Sequence, residues 1–246
     1  MSKGSRFALK IKHYIHSPER KREYNEQHFS EAASRYDFAT RAMSLGRDAA
    51  WKRQLVAALP QFLTPVCVDL ACGTGDIAFL LAEKYPAGRI IGIDLTEPML
   101  KIARQRSDSI NIEFVRQDMG ATDFPDEFAD IVTGGYAVRN AAELRQAFLE
   151  IQRILKPGGL VALLDFSKPP GPRFQQLQYL ILKYWCGLWG FLLHGNPEVH
   201  SYIAASLRAF PDSVQLRKLI AENGFVVNHS RQFYVGTLEL LVLRKK

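Results

Sequence analysis

A chain of 246 residues, 47% of them hydrophobic, is long enough to bury one large core, and a single α/β domain with additions is the economical reading. Its three cysteines, Cys67, Cys72 and Cys186, form no C-x-x-C pair and have no neighbouring histidine; this argues against a disulfide framework and a zinc or other metal site, and fits a reducing, cytoplasmic compartment. The net charge of +7 is lodged almost wholly in residues 1–22, which carry +6, so the rest of the chain offers no basic stripe for nucleic acid.

That first segment, 1–22, reads as a basic tail without the apolar run of a signal peptide. Phe7, Ile11, Tyr14 and Ile15 have the spacing of an amphipathic helix ending before Pro18, which would lie on an anionic membrane surface. A solvated tail fits the same residues equally well.

The most informative stretch is Val68-Asp69-Leu70-Ala71-Cys72-Gly73-Thr74-Gly75-Asp76. An apolar strand runs into a Gly-x-Gly turn, and an amphipathic helix with Ile77, Leu80 and Leu81 follows at once. Glycines there let the backbone approach a ligand with no Cβ in the way. A second apolar run, 89–93, ends on Asp94, nineteen residues after Gly75. An acid closing that strand can accept both hydroxyls of a ribose. The site therefore reads as one for a nucleoside-containing cofactor. A dinucleotide would sit with its pyrophosphate on the helix N-terminus, but Asp69 and Asp76 would repel it. The same carboxylates suit a ligand carrying an ammonium and a sulfonium. The pattern resembles the first two motifs of class I S-adenosylmethionine (SAM)-dependent methyltransferases, with NAD(P) as the competing reading.

Residues 111–118 read as a third strand ending on Asp118, an acid that could accept from the adenine amine while Met119 offers its backbone N–H. Thr74 could bond the carboxylate of the methionine moiety. Asp130 reads instead as ordering the start of a fourth strand. The spacing of Leu144, Phe148, Ile151 and Leu155 predicts a helix over 141–155, stopped by Lys156-Pro157-Gly158-Gly159, with a buried strand over 160–165. Residues 174–194 hold six aromatics and no acid, yet Lys183 and three early glutamines rule out a spanning helix. The stretch reads as a lid walling a greasy pocket or dipping into a bilayer surface, or as a core helix pair. Apolar runs at 225–227 and 238–243 predict a closing hairpin around Gly236.

Further motifs narrow the resemblance: His28-Phe29-Ser30, Tyr36-Asp37 and Ser44-Leu45-Gly46 early, then Val138-Arg139-Asn140, Leu155–Gly159 and Phe166–Pro169. Late in the chain come Ser201-Tyr202, Ser206-Leu207-Arg208 and Phe210-Pro211-Asp212. From about His28 to the C-terminus the chain is similar to the ubiquinone/menaquinone-biosynthesis C-methyltransferase family. It departs from that family's pattern at Thr40, at Gly135-Tyr136-Ala137 and around Cys186, all on the substrate side.

The resemblance implies a Rossmann-like seven-stranded sheet with the last strand antiparallel. It implies an N-terminal helical cap (23–60), and a methyltransferase core (61–246) carrying a lid at 170–210. It also implies SAM-dependent methylation of a ring carbon of a polyprenylated quinol, or of another hydrophobic acceptor. A non-catalytic SAM-binding scaffold is the alternative from a different class. Asp69, Gly73, Thr74, Gly75, Asp94, Leu95, Asp118, Met119 and Gly135 would hold the cofactor. Arg139 would stabilise a phenolate, Asn140 would orient its hydroxyl, and Tyr36 and Asp37 would close the site over the ring. His194, His200 and Asp165 are weaker candidates for chemistry. Expected partners are the quinol, a membrane surface met peripherally through tail and lid, and a second copy in a homodimer.

Overall fold

The computed structural model describes residues 17–246. The tail helix expected around Phe7–Ile15 lies outside those residues. The cap begins with α1 (Pro18–Ala32), started by Ser17, whose hydroxyl accepts from the Arg20 N–H, and by Pro18 at a position where its missing donor costs nothing. The basic segment drawn to residue 22 therefore overlaps this helix: Pro18 to Arg22 form its opening turns. A 3₁₀ turn leads to α2 (Tyr36–Met43), and α3 (Asp48–Ala57) completes the cap.

The expected alternation follows: β1 (Val66–Leu70), α4 (Asp76–Lys84), β2 (Arg89–Asp94), α5 (Glu97–Arg106), β3 (Ile112–Arg116) and β4 (Ala129–Gly135). After a 3₁₀ turn at Val138–Asn140 come α6 (Leu144–Ile154) and β5 (Leu155–Phe166). The seven-stranded sheet runs β3-β2-β1-β4-β5-β7-β6, with β6 (Phe225–Phe233) and β7 (Leu238–Lys245) as the closing hairpin. Only β7 runs against its neighbours. The order reverses between β1 and β4, and in an open α/β sheet the crevice beyond the strand ends at such a reversal is where ligands bind.

Strand side chains alternate between two buried cores. Val68, Leu70, Ile91 and Ile93 join Phe148, Ile151 and Tyr202 on one face; Cys67 and Ile90 join Leu55, Leu81 and Leu100 on the other. One boundary differs from the sequence reading. Pro157-Gly158 does not separate helix from strand: α6 passes directly into β5 at Leu155, which pairs with Ala129 before the register shifts. Lys156 fastens that start by pairing with Asp130 (2.7 Å), which also accepts the Val66 N–H, so Asp130 ties the strand starts together.

Between β5 and α9 (Ser213–Glu222) lie α7 (Pro172–His194) and α8 (Glu198–Ala209), packed against each other. Gly190 makes the close turn between them feasible, because a Cβ there would come within 2.8 Å of the Asn196 carbonyl oxygen. Among the described residues no helix is long and apolar enough to cross a membrane.

Candidate active site: a polar cleft and an apolar chamber

A cleft of mixed polar and apolar lining lies at the ends of β1, β2 and β4, where the order reverses. Gly73 and Gly75 turn the chain with φ of +56° and +92°. A Cβ on Gly73 would meet nothing within 4 Å, so this backbone faces open space that a ligand can enter. Asp94 is buried and organises the turn: one carboxylate oxygen accepts the Gly73 N–H (2.9 Å) and the other the Thr96 N–H (2.8 Å). Burial raises its pKa, and those N–H groups oppose the rise.

Gly73, Asp94, Leu95, Asp118, Met119 and Gly135 all line this cleft, as do Tyr36 and Asn140. Asp69, Thr74 and Gly75 are not among the lining residues. Asp69 sits beneath the turn, fully buried, with one oxygen accepting from the Thr133 hydroxyl (2.6 Å) and the other, Oδ2, without a hydrogen-bond partner. Thr74 donates to Asp37 (2.6 Å) instead of facing the cleft. Asp37 also meets Arg106 (3.1 Å), which bonds Asp76 (2.8 Å). Asp76 and Asp48 share the buried Lys52 (2.9 and 2.7 Å), and Asp48 accepts from the Tyr136 hydroxyl (2.7 Å). Burial disfavours the Lys52 charge, but the two carboxylates outweigh it and its pKa is raised. Asp37 thus belongs to a charged chain linking α2 to α5, α4 and α3, at an exposed position, and lines neither cavity.

Asp69 carries a pH signature. Burial pushes its carboxyl up to about 7. The folded protein therefore holds a proton there that the unfolded chain has released, and stability falls as pH rises from about 4 to about 7. Asp69→Asn keeps the shape and an acceptor for Thr133. Its melting temperature should match wild type at pH 4 and exceed it at pH 8, the advantage growing by up to about 1.4 kcal/mol per pH unit between. Equal offsets at both pH values would show that Asp69 stays ionised in the fold.

Helix α1 spans one side of the cleft. Lys21 donates to the carbonyls of Ala141 (2.5 Å) and Arg139 (3.2 Å), Arg22 pairs with Asp118 (2.6 Å), and Asn25 donates to the Asn140 carbonyl (2.6 Å). Burial, then the Arg139 charge, lowers the Lys21 pKa to about 8. Sequence reasoning did not find these residues, nor Thr96 and Met99, which line the cleft from the start of α5. The only signal for the latter pair was their place directly after the Asp94 strand end.

Next to the cleft is a second cavity of about 510 Å³, walled by α1, α2, α7, α8 and the β6–β7 hairpin, and mostly apolar. Phe29, Tyr36 and Tyr136 line both spaces and form the wall between them. Phe29 and Tyr36 meet edge to face, ring centres 6.1 Å apart. Tyr136 takes a left-handed φ of +57°, its N–H bonded to the Leu164 carbonyl (2.6 Å) and its own carbonyl held by the Asn140 amide (2.9 Å). Asn140 thus fixes the wall as well as lining the cleft.

Arg139 is the cation lining this chamber. It is buried, lies over the rings of Phe166 (5.3 Å) and Tyr202 (5.6 Å), and donates to the Ser206 hydroxyl. Asp165 accepts its backbone N–H (3.0 Å) and faces its guanidinium at 3.5 Å. Burial opposes the charge, but Tyr202 and Asp165 hold its pKa above the ordinary value. Asp165 therefore serves Arg139, not Ser167 or Lys168. His28 and His200 also line the chamber; burial lowers them to about 3 and about 4, so both are neutral. His194 stacks edge-on against His200 and is absent from the lining.

The family model described as the ubiE/COQ5 methyltransferase family matches residues 18–241. A demethylmenaquinone methyltransferase of Thermus thermophilus is 35% identical over 203 residues, covering 82% of this chain and 92% of its own. A ubiquinone/menaquinone biosynthesis C-methyltransferase of Desulfotalea psychrophila is 31% identical, with 87% of each chain covered. Among solved structures, an S-adenosylmethionine-dependent methyltransferase from Mesorhizobium loti superposes with a TM-score of 0.59 at 19% identity, over 80% of this chain and 98% of that one, a likeness of fold.

Proposed function

Because the chain belongs to the ubiE/COQ5 methyltransferase family, we propose that it transfers a methyl group from SAM to a ring carbon of a polyprenylated quinol. The observation that carries this is the pairing of a cleft of mixed polarity, lined by Asp94 and Asp118, with a far more apolar chamber across one wall of three rings. Two features of the cleft support SAM as its ligand: the Gly73 backbone faces open space, and the Asp94 carboxylate at the end of β2 lines the cleft, where it could accept from a ribose. The cofactor supplies an electrophilic methyl group on a positive sulfur.

The residues of the chain do the rest. Phe29, Tyr36 and Tyr136 set the reacting ring against the cleft. A ring carbon becomes nucleophilic as a neighbouring hydroxyl loses its proton. Arg139 stabilises the resulting phenolate; because a guanidinium stays charged, it lowers the hydroxyl pKa and leaves the proton for water to take. When bound, the cofactor would give its methyl group to that carbon and leave as the neutral thioether. The ring then loses its displaced hydrogen as a proton and recovers its aromaticity. Three free cysteines and a greasy acceptor support a cytoplasmic enzyme that meets membranes peripherally.

The test is incubation with methyl-labelled SAM and two reduced acceptors, a demethylated naphthoquinol and a methoxy-polyprenyl benzoquinol, read by mass spectrometry. Label on a ring carbon of one is expected and names the ring system. No label on either, with SAM binding shown calorimetrically, would overturn the acceptor assignment.

A further inference from the structure

The apolar chamber has a mouth, and its rim is unusual. Leu45, Ile181, Tyr234 and Val235 line the chamber yet are 69%, 58%, 49% and 95% exposed. Tyr234 and Val235 form the tip of the β6–β7 hairpin with consecutive left-handed φ values of +47° and +53°. Such a tip favours Asn-Gly, and a β-branched residue there is strained. The hairpin therefore holds a valine in an unfavourable backbone conformation at a position where it touches almost nothing of its own chain.

The same surface continues along α7. Phe174, Leu177, Ile181, Tyr184, Leu188 and Phe191 recur at intervals of three and four and are each 49–70% exposed, so one full-length stripe of the helix lacks a partner. Ile181 belongs to both stripe and rim, which makes the two features one surface. Along α7 the charges have one sign. Residues 172–194 contain Arg173 and Lys183 and no acid, α2 and the turn after it add Arg41 and Arg47, and the hairpin adds Arg231. The exposed acid of these segments, Asp37, is already taken by Thr74 and Arg106.

We propose that this rim and stripe dock the protein on an anionic bilayer surface, with the chamber mouth facing the acyl chains. The proposal rests on the reading that the acceptor carries a prenyl tail, which would leave the chamber directly into lipid. A second copy fits the stripe less well. Helices paired along a three-four seam match opposite charges at its flanks, and α7 has only cations to offer. A self-paired α7 would also cover Ile181, one side of the mouth.

The experiment is co-sedimentation of the full chain with phosphatidylcholine vesicles, with and without phosphatidylglycerol, alongside light scattering. Wild type is expected to bind the anionic vesicles. The variant Tyr184→Ser/Leu188→Ser, altered on the stripe but outside the chamber lining, should bind them roughly tenfold or more weakly, two aromatic and aliphatic side chains having lost their burial in lipid. Turnover of a short-tailed, water-soluble quinol without vesicles should be unchanged in the variant. Vesicle binding is read without turnover, so failure of the acceptor assignment and failure of docking are distinguishable. Binding that the variant retains in full would assign it to the basic N-terminal segment and overturn the proposal. So would the absence of binding by wild type, or a wild-type dimer that the variant dissociates.

Discussion

Arg139→Gln is expected to lose methyl transfer by roughly 10²–10³-fold, the usual cost of removing a charge-stabilising group from a water-poor site, while SAM affinity changes little. Glutamine keeps a donor for Ser206 and fills most of the space, but it cannot offset a phenolate. The structure explains why Arg139→Ala would be a poorer experiment. Asp165 is buried and its guanidinium partner lies 3.5 Å away. Stripping one member from a buried pair leaves an uncompensated carboxylate and typically costs about 3–5 kcal/mol of stability. Part of that loss also falls on Arg139→Gln, so the double variant Arg139→Gln/Asp165→Asn is the necessary companion. It should recover stability in thermal unfolding and remain inactive. Turnover near wild type in either folded variant would remove Arg139 from the chemistry and leave it a structural ion.

Asp94→Ala should produce the largest loss of cofactor binding. Its two oxygens accept the Gly73 and Thr96 N–H groups, and alanine leaves both donors without acceptors, the Thr96 N–H buried and the Gly73 N–H partly so. Each such orphan costs about 1–3 kcal/mol, so the melting temperature should fall even without cofactor. The two bonds offered to a ribose disappear as well. At about 1.5–3 kcal/mol for each charge-assisted bond, SAM affinity should drop roughly 10²-fold or more. Calorimetric titration checks the affinity, and thermal unfolding with and without SAM checks the linkage. Asp94→Asn, which keeps one acceptor oxygen, should fall between. A variant that melts early but binds SAM normally would mean that Asp94 only shapes the turn.

What the sequence disclosed and what it hid divide along a physical line. The strand, glycine turn and helix around Gly73, and the acid closing β2, are local features: a few neighbouring residues dictate them, and they appear where the spacing put them, whereas β3 stops at Arg116, two residues short of Asp118. The hairpin about Gly236 was equally local. Residues 156–159 misled because proline and glycine were read as a break, whereas at the start of β5 only Leu155 needs a sheet partner before the register shift. Least legible was α1. Its sequence is polar almost throughout, and only Tyr24, His28 and Ala32, four residues apart, are buried. The partners of Lys21 and Arg22 lie about a hundred residues away, and no periodicity announces them. Thr74 and Asp37 were both singled out, but for separate duties; that they bond each other depends on how the cap settles on the core.

The three-ring wall of Phe29, Tyr36 and Tyr136 has a kinetic consequence. Two reactants that must meet usually share an entrance, and one of them then waits for the other to leave. On the proposed reading, the spent cofactor, lighter by one methyl group and one charge, would leave through the cleft at the β1–β4 end of the sheet, while the acceptor would use the apolar mouth. Exchange of one need not interrupt residence of the other. An enzyme drawing on a scarce, insoluble acceptor can remain at its source for many turnovers, with replenishment of the soluble reactant setting the pace.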